Sequence, residues 1–127
     1  MQGVTSTVLF VCLHGAARSR MAAAFFNAVA ADGWLATSAG LDAQDSVSAN
    51  AVRLLAGSHA EALLDHAPPV PFAAVPTPDR VVAIDCAVPG AVRWNLRHQE
   101  VNEAMRDEIR DRAEALARSV SDSGRRA

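Results

Sequence analysis

Lysine and tyrosine are absent from the 127 residues of this chain, and cysteine occurs only twice. Because all twelve basic residues are arginine, any fixed positive charge in a functional site must be a guanidinium group. This excludes a Walker-type nucleotide loop, which needs a lysine to reach the terminal phosphates. Two cysteines cannot form the disulfide framework of a small secreted domain, so each is better interpreted as a reactive or a buried thiol.

Long apolar runs are also absent. No stretch approaches the roughly 18 consecutive apolar residues of a membrane span, and the start, Met1-Gln2-Gly3-Val4, lacks the basic flank of a signal peptide. The formal net charge of -2 gives no general attraction to nucleic acid or to anionic lipid. We therefore expect a cytoplasmic protein without a nucleic-acid or membrane partner.

Half of the residues are hydrophobic, and they alternate between strand-like and helix-like patterns. Strands are predicted at residues 7–11, 34–39, 80–84 and 91–94. Helices are predicted from Ser19 to Asp32-Gly33, from a Ser48 cap to Gly57, and in a long final segment whose apolar face carries Val101, Met105, Ile109, Leu116 and Val120. This order predicts one α/β domain over residues 1–127 with a doubly wound parallel sheet.

Two segments stand outside this pattern. Residues 67–78 hold all but one of the six prolines, which predicts an irregular crossover. Residues 121–127 are polar, and we expect this end of the chain to fray.

The candidate functional segment lies where the first predicted strand gives way to the first helix, and it reads Cys12-Leu13-His14-Gly15-Ala16-Ala17-Arg18-Ser19. In a doubly wound sheet, ligands bind at this carboxyl end of the strands. The small residues allow the backbone N–H groups of residues 13–17 to converge on an oxyanion, and the helix adds the positive end of its dipole. Arg18 can bind two oxyanion oxygens with its planar fork.

The same electrostatic field favours the thiolate form of Cys12, which would make this residue a nucleophile. Ser19 can hydrogen-bond the sulfur and ease its departure from a covalent intermediate. A cysteine six residues before an arginine also arises by chance, and buried cysteines after strands are common. Here the preceding strand, Gly15, Ser19 and the following helix supply the context that the motif requires.

These residues resemble the opening of the low-molecular-weight protein tyrosine phosphatase superfamily. The arsenate reductase branch is the more similar, because its loop commonly reads C-x-H-N-x-x-R-S followed by Q-M-A, and His14 and Met21-Ala22 match that pattern. Phosphatases of the superfamily usually carry Pro where Arg20 stands. The resemblance continues at residues 38–40, 47–52 and 106–109, and it implies a four-stranded parallel sheet flanked by helices.

The sequence departs from the family at two places in the expected site. Gly15 stands where the family usually has Asn, which predicts a softer loop. The Asp-Pro pair that supplies the general acid is replaced by His98-Gln99. His98 is therefore the candidate proton donor, with Asp85 and Glu100 as alternatives. Without the Asp, and with few aromatic residues to surround a phosphotyrosine, we expect slow phosphatase activity at most.

Cys86 follows the third predicted strand, in the region where thioredoxin-coupled arsenate reductases carry two redox cysteines. It could attack an arsenic adduct of Cys12 and form a Cys12–Cys86 disulfide, or it could be a buried structural cysteine. An external thiol from thioredoxin, mycothiol or glutaredoxin is the alternative reductant. No cofactor is expected, and neither the histidines nor the cysteines have the spacing of a metal site.

The resemblance and the loop together lead to three hypotheses. The first is an arsenate reductase-like enzyme in which Cys12 attacks arsenate, with a small oxyanion as substrate and a thiol-redox protein as a possible partner. The second is a low-molecular-weight phosphatase that forms a cysteinyl-phosphate. The third is an oxyanion-binding pseudoenzyme or sensor that lacks the general acid.

Overall fold

The computed structural model describes the backbone of residues 5–126 and the side chains of residues 5–120. Four strands and three helices follow one another along the chain: β1 Ser6–Cys12, α1 Arg18–Val29, β2 Trp34–Gly40, α2 Ala49–Leu55, β3 Arg80–Ile84, β4 Val92–Trp94 and α3 Glu103–Arg126. Two short 3₁₀ turns, Glu61–Leu63 and Phe72–Ala74, lie between α2 and β3. The predicted elements are all present. Most bounds are shifted by one or two residues, and α1 ends at Val29, before the predicted stop at Asp32-Gly33.

The strands form one parallel sheet in the order β2-β1-β3-β4. β1 lies in the interior of the sheet, and its last residue, Cys12, is paired in register with Gly40 at the end of β2. On its other side, Val11 is paired with Ala83 of β3. The predicted single α/β domain with a parallel sheet is confirmed, and Cys12 lies at the carboxyl edge where ligands of such sheets bind.

All three helices pack on the same face of the sheet. Phe10 of β1 contacts the aromatic rings of Phe26 on α1 and Trp94 on β4. Met105, Ile109 and the other buried residues of α3 join this cluster, as do Ala51, Leu54 and Leu55 of α2. The apolar face predicted for the final helix is therefore largely confirmed, although Val101 precedes the helix and Leu116 is only half-buried.

The second face of the sheet is covered without a regular helix. Leu9, Val11 and Ala83 on this face pack against Phe72 and Val75 from the proline-rich segment. The expectation of helices flanking the sheet is therefore met on one face only. Proline lacks the backbone N–H that a helix interior needs, so this crossover folds as extended chain and short turns.

The predicted cap of α2 is also present: the Ser48 hydroxyl accepts a hydrogen bond from the backbone N–H of Asn50, at 3.2 Å. Within the described residues, no helix is both long and apolar enough to cross a lipid bilayer. The backbone is helical as far as Arg126, while the side chains from 121 onward and the whole of Ala127 lie outside the described residues. The fraying of this end stays a prediction.

Glu108 of α3 ties the segment after β4 to the body of the protein. Its carboxylate accepts hydrogen bonds from the backbone N–H groups of Arg97, at 2.9 and 3.0 Å, and of His98, at 3.0 Å. The Arg112 side chain donates a further bond of 3.1 Å. Burial opposes ionisation of this carboxyl group, but these donors together hold the pKa of Glu108 below its ordinary value.

Replacing Glu108 with Gln should lower the free energy of unfolding by about 1.5 kcal/mol at neutral pH, the usual contribution of hydrogen bonds to a charged group. Because the folded-state pKa is lowered, this stabilisation exists above the unfolded pKa of about 4.3 and is lost as the pH falls through the folded value. Urea unfolding of wild type and Glu108→Gln across this range measures the effect. Glu100→Gln, at an exposed position, is the control and should leave the free energy of unfolding unchanged. If wild type and Glu108→Gln differed in stability as much at acidic pH as at neutral pH, this explanation would be contradicted.

Candidate active site

Cys12 lies at the junction of β1 and α1 and is 4% exposed. Its sulfur is 3.1 Å from the Ser19 hydroxyl and accepts a hydrogen bond of 3.2 Å from the backbone N–H of Gly15. Ser19, in the first turn of α1, is fully buried. The structure therefore places the predicted nucleophile and hydroxyl in contact.

The carbonyl groups of the loop after Cys12 are turned outward, where other parts of the chain bind them. Four backbone N–H groups from the segment after β2 donate to the carbonyl oxygens of residues 12, 13, 14 and 16, at distances of 3.1, 2.7, 3.1 and 2.9 Å; the donors are Leu41, Asp42, Gln44 and Ser48. The Gly15 carbonyl accepts instead from the side chain of Arg20, at 2.9 Å. This set fixes the orientation of every peptide plane from Cys12 to Ala16.

In a planar trans peptide, the C=O of one residue and the N–H of the next point in opposite directions. With the carbonyls of residues 12–16 turned outward, the N–H groups of residues 13–17 are directed to the inside of the loop. The Gly15 N–H, which meets the Cys12 sulfur, has this orientation. Ala17 is the N-cap of α1 and makes no side-chain capping bond, so the positive end of the helix dipole also faces this space. Such an arrangement can bind an oxyanion.

The loop approaches the end of β2 too closely to admit side chains. Gly15 has a φ of +66°, and a β-carbon on it would lie 2.7 Å from the Gly40 nitrogen. A β-carbon on Gly40 would in turn lie 2.5 Å from the His14 carbonyl carbon. Together with the Arg20 bond to its carbonyl, this contact holds Gly15 in place through the backbone. Gly15 was expected to soften the loop because it lacks the hydrogen bonds of an Asn side chain. The contact with Gly40 and the bond from Arg20 are two other interactions that hold the loop at this point.

Arg20 is the main structural residue that sequence reasoning did not identify. It is only 2% exposed, and its guanidinium donates to the carbonyls of Gly15 and Asp65 and lies 3.9 Å from the Asp65 carboxylate. Burial lowers the pKa of Arg20, whereas attraction to Asp65 and to the Cys12 thiolate raises it. The guanidinium thus holds the loop through the Gly15 carbonyl and lies near enough to Cys12 for an electrostatic interaction.

Arg18, the predicted oxyanion ligand, lies at the cavity edge and makes contacts on the side of β3. Its Nη2 donates to the Gln99 carbonyl at 3.3 Å, and its Nε is 3.7 Å from the Asp85 carboxylate. Nε is buried and has no hydrogen-bond partner among the described residues. Asp85 was named from the sequence as an alternative proton donor. It directly follows β3, so it lies at the ligand-binding edge of the sheet, where its carboxylate faces Arg18 and does not line the cavity.

A cavity of about 270 Å³ opens above the sulfur. It is lined by Cys12 and its loop neighbours Leu13, His14, Ala16, Ala17 and Arg18, and by Gln44, Ser48 and Val101. No phenylalanine, tyrosine or tryptophan and no carboxylate belongs to this lining. The lining therefore offers little surface on which the ring of an aryl phosphate ester could stack.

His98 is not brought to this cavity. Its backbone N–H donates to Glu108, and its side chain lines a separate depression along α3 with Arg97, Asp107 and Arg112. The expectation that His98 supplies the proton is therefore not supported by its position. His14 does line the cavity, and its Nδ1 is 3.1 Å from the Asp42 carbonyl.

Cys86 is buried on the opposite face of the sheet from the Cys12 side chain. Its thiol donates a weak bond of 3.5 Å to the Val11 carbonyl. Burial raises the pKa of Cys86, and the Cys12 thiolate raises it further. Both cysteines are free thiols. Among the described residues, no cluster of three or more His, Cys, Asp or Glu side chains could hold a metal ion.

Comparisons with known proteins agree with this geometry. Residues 7–122 match the family model described as low molecular weight phosphotyrosine protein phosphatase. The chain is similar to the crystal structure of an arsenate reductase from Archaeoglobus fulgidus, with 31% identity, a TM-score of 0.71, and coverage of 87% of this chain and 98% of that one. A search of curated proteins gave no match.

Two further structures share the fold at lower identity. A thioredoxin-dependent arsenate reductase of Corynebacterium glutamicum is 24% identical with a TM-score of 0.74, and the match covers 97% of this chain and 65% of that one. An arginine phosphatase from Geobacillus stearothermophilus is 21% identical with a TM-score of 0.69, over 93% of this chain and 94% of that one. Arsenate reductases and phosphatases therefore share this fold.

Replacing Arg20 with Met should slow alkylation of Cys12 by iodoacetamide at neutral pH by roughly threefold to tenfold, because it removes a nearby guanidinium that attracts a nucleophilic sulfur and holds the Gly15 carbonyl of the loop. Peptide mass spectrometry separates Cys12 from Cys86. Arg53→Met, which removes an exposed guanidinium on α2, should leave the rate unchanged. Equal rates in Arg20→Met and wild type would refute the electrostatic role.

Proposed function

This chain belongs to the low molecular weight phosphotyrosine protein phosphatase family of enzymes, and we propose that it acts as an arsenate reductase-like enzyme. The observation that carries the proposal is the position of the Cys12 sulfur beneath a loop whose carbonyls are all bound from outside. The inward N–H groups of residues 13–17 and the Arg18 guanidinium would hold arsenate over the sulfur. The 31% identical arsenate reductase of Archaeoglobus fulgidus supports this choice within the family.

The first step would form a covalent adduct. The Cys12 thiolate attacks arsenic, a sulfur–arsenic bond forms, and one arsenate oxygen takes up protons and leaves as water. Negative charge that develops on the remaining oxygens is stabilised by the loop N–H groups and Arg18. The oxygen that leaves arsenate can take its protons from water, so it needs less general acid catalysis than the alkoxide that leaves a phosphate ester. This agrees with a cavity that no carboxylate lines.

The second step requires another thiol. Its thiolate attacks the Cys12 sulfur, the sulfur–arsenic bond breaks, and the electron pair stays on arsenic, so that As(V) becomes As(III) and leaves as arsenite. The two sulfurs form a disulfide, which an external dithiol reduces. The Ser19 hydroxyl, 3.1 Å from the Cys12 sulfur, would hydrogen-bond that sulfur as a thiolate before the first attack and again when reduction of the disulfide releases it.

An external thiol is the better candidate for this second step than Cys86. The Cys86 thiol is packed in an apolar cluster and bound to the Val11 carbonyl, and its raised pKa leaves less thiolate at neutral pH. Its attack on Cys12 would require the chain after β3 to rearrange. Thioredoxin, mycothiol and glutaredoxin are the donors to be compared, and the protein itself needs no bound cofactor in this scheme.

A phosphatase reaction is the second candidate, and the family that matches residues 7–122 is its support. The same loop could hold a phosphoryl group while Cys12 forms a cysteinyl-phosphate. Hydrolysis of an alkyl ester would be slow, because general acid catalysis is worth about 10²- to 10⁴-fold and no acidic side chain lines the cavity. An aryl phosphate with a good leaving group is therefore the appropriate substrate for the comparison.

Arsenite formation should be measured with each thiol donor, beside hydrolysis of para-nitrophenyl phosphate. Cys12→Ser should abolish both reactions, and Cys86→Ser should retain most of the arsenite formation if an external thiol completes the reduction. Loss of arsenite formation in Cys86→Ser, with the fold intact by circular dichroism, would assign the second thiol to Cys86. Phosphate hydrolysis without any arsenite would favour the phosphatase, and oxyanion binding without either reaction would refute both proposals.

A further inference from the structure

The two donors of Arg18 that could bind an oxyanion side by side already face groups of the protein. Nε is directed to the Asp85 carboxylate at 3.7 Å, and Nη2 donates to the Gln99 carbonyl at 3.3 Å. These two nitrogens form one edge of the guanidinium, the edge that makes paired hydrogen bonds with carboxylates and phosphates. The contact is poor at Nε, which is buried and lacks a hydrogen bond among the described residues.

Asp85 is held firmly in the position from which it faces Arg18. It is the one non-glycine residue in the described chain with a positive φ, +54°. Its Oδ1 accepts from the Leu96 N–H at 3.0 Å, its Oδ2 accepts from the Gln99 side chain at 3.3 Å, and its own N–H donates to the Trp94 carbonyl at 2.9 Å. A strained residue with so many fixed contacts is a sign of a functional constraint.

We propose that Asp85 is a positioning residue that holds Arg18 away from the loop when no oxyanion is bound. Binding is then an exchange in which Arg18 leaves Asp85 and the Gln99 carbonyl and presents the same edge to two oxygens of the ligand. The unsatisfied Nε gains a partner in this exchange, which offsets part of the loss of the ion pair. The inference deepens the proposed function, because it concerns the oxyanion ligand of that site.

The exchange makes Asp85 a competitor of the ligand. Asp85→Asn should therefore bind inorganic phosphate more tightly than wild type, by roughly twofold to fivefold, the factor that corresponds to a partly exposed ion pair. Asparagine accepts positive φ and retains an oxygen for the Leu96 N–H, so this variant removes the charge with little change of the backbone. A residue that merely stabilised the site would give the opposite result, since its replacement would weaken binding.

The decisive measurement is a double-mutant cycle on the phosphate dissociation constant, by calorimetry or by phosphorus NMR where affinity is low. The gain from Asp85→Asn should be present with Arg18 and largely absent in the Arg18→Ala background, because only Arg18 connects Asp85 to the ligand. Asp32→Asn, the same change beside the turn before β2, should have no effect in either background.

Three results would overturn the inference: unchanged binding in Asp85→Asn, weaker binding, or the same gain in both backgrounds. The last would mean that Asp85 acts only through its general negative charge. Because phosphate binding is measured without turnover, the outcome is separate from the fate of the arsenate reductase proposal. If the double-mutant cycle shows the expected coupling but no arsenite is formed, this inference stands and the proposed arsenate reduction is refuted.

Discussion

The orientation of the peptide planes between Cys12 and Ala16 is the constraint on which the site depends. Five successive carbonyls must find partners outside the loop if their N–H counterparts are to face inward, and a buried carbonyl without a partner is costly. The segment after β2 supplies four of these partners and Arg20 supplies the fifth. The close approach of Gly15 to Gly40 follows from this arrangement, because these backbone bonds bring the loop against the end of β2.

Burial of Arg20 is the most expensive part of this arrangement, since a guanidinium loses its hydration when it is buried. Three features offset the cost: the bond to the Gly15 carbonyl, the backbone and side chain of Asp65, and the electrostatic attraction to Cys12. Arg20 contacts the loop through the outward carbonyl of Gly15 and does not line the cavity, so it can support the loop but cannot contact a ligand bound there. Arg18, by contrast, lies at the cavity edge. In our proposal the two arginines therefore have separate roles: Arg20 supports the loop, and Arg18 binds the oxyanion.

The sequence allowed the sheet, the loop after Cys12 and the first helix to be predicted, because each rests on a local pattern: an apolar run before Cys12, small residues after it, and a helical repeat from Ser19. The rest depends on contacts between distant segments. Nothing near Arg20 in the sequence indicates that its partner is Asp65. His98-Gln99 stands where the family has its Asp-Pro pair, which suggested His98 as an acid, but Glu108 binds the His98 backbone and the residue lines a separate depression. Prolines predicted an irregular crossover, but their count could not show that this segment, together with the chain after β3, would cover one face of the sheet.

The segment from Trp94 to Gln99 connects Arg18, the proposed oxyanion ligand, to the final helix. Gln99 contacts Arg18 through its backbone carbonyl and Asp85 through its side chain. Glu108 of α3 binds the backbone N–H groups of the two preceding residues, Arg97 and His98. Any movement of Arg18 toward a ligand therefore breaks a contact with a segment that α3 keeps in place. Since Glu108 does not touch the cavity, it can affect oxyanion affinity only by loosening this segment. In the proposed exchange, the affinity for the oxyanion therefore depends on how rigidly the chain after β4 is anchored, as well as on the loop from Cys12 to Arg18.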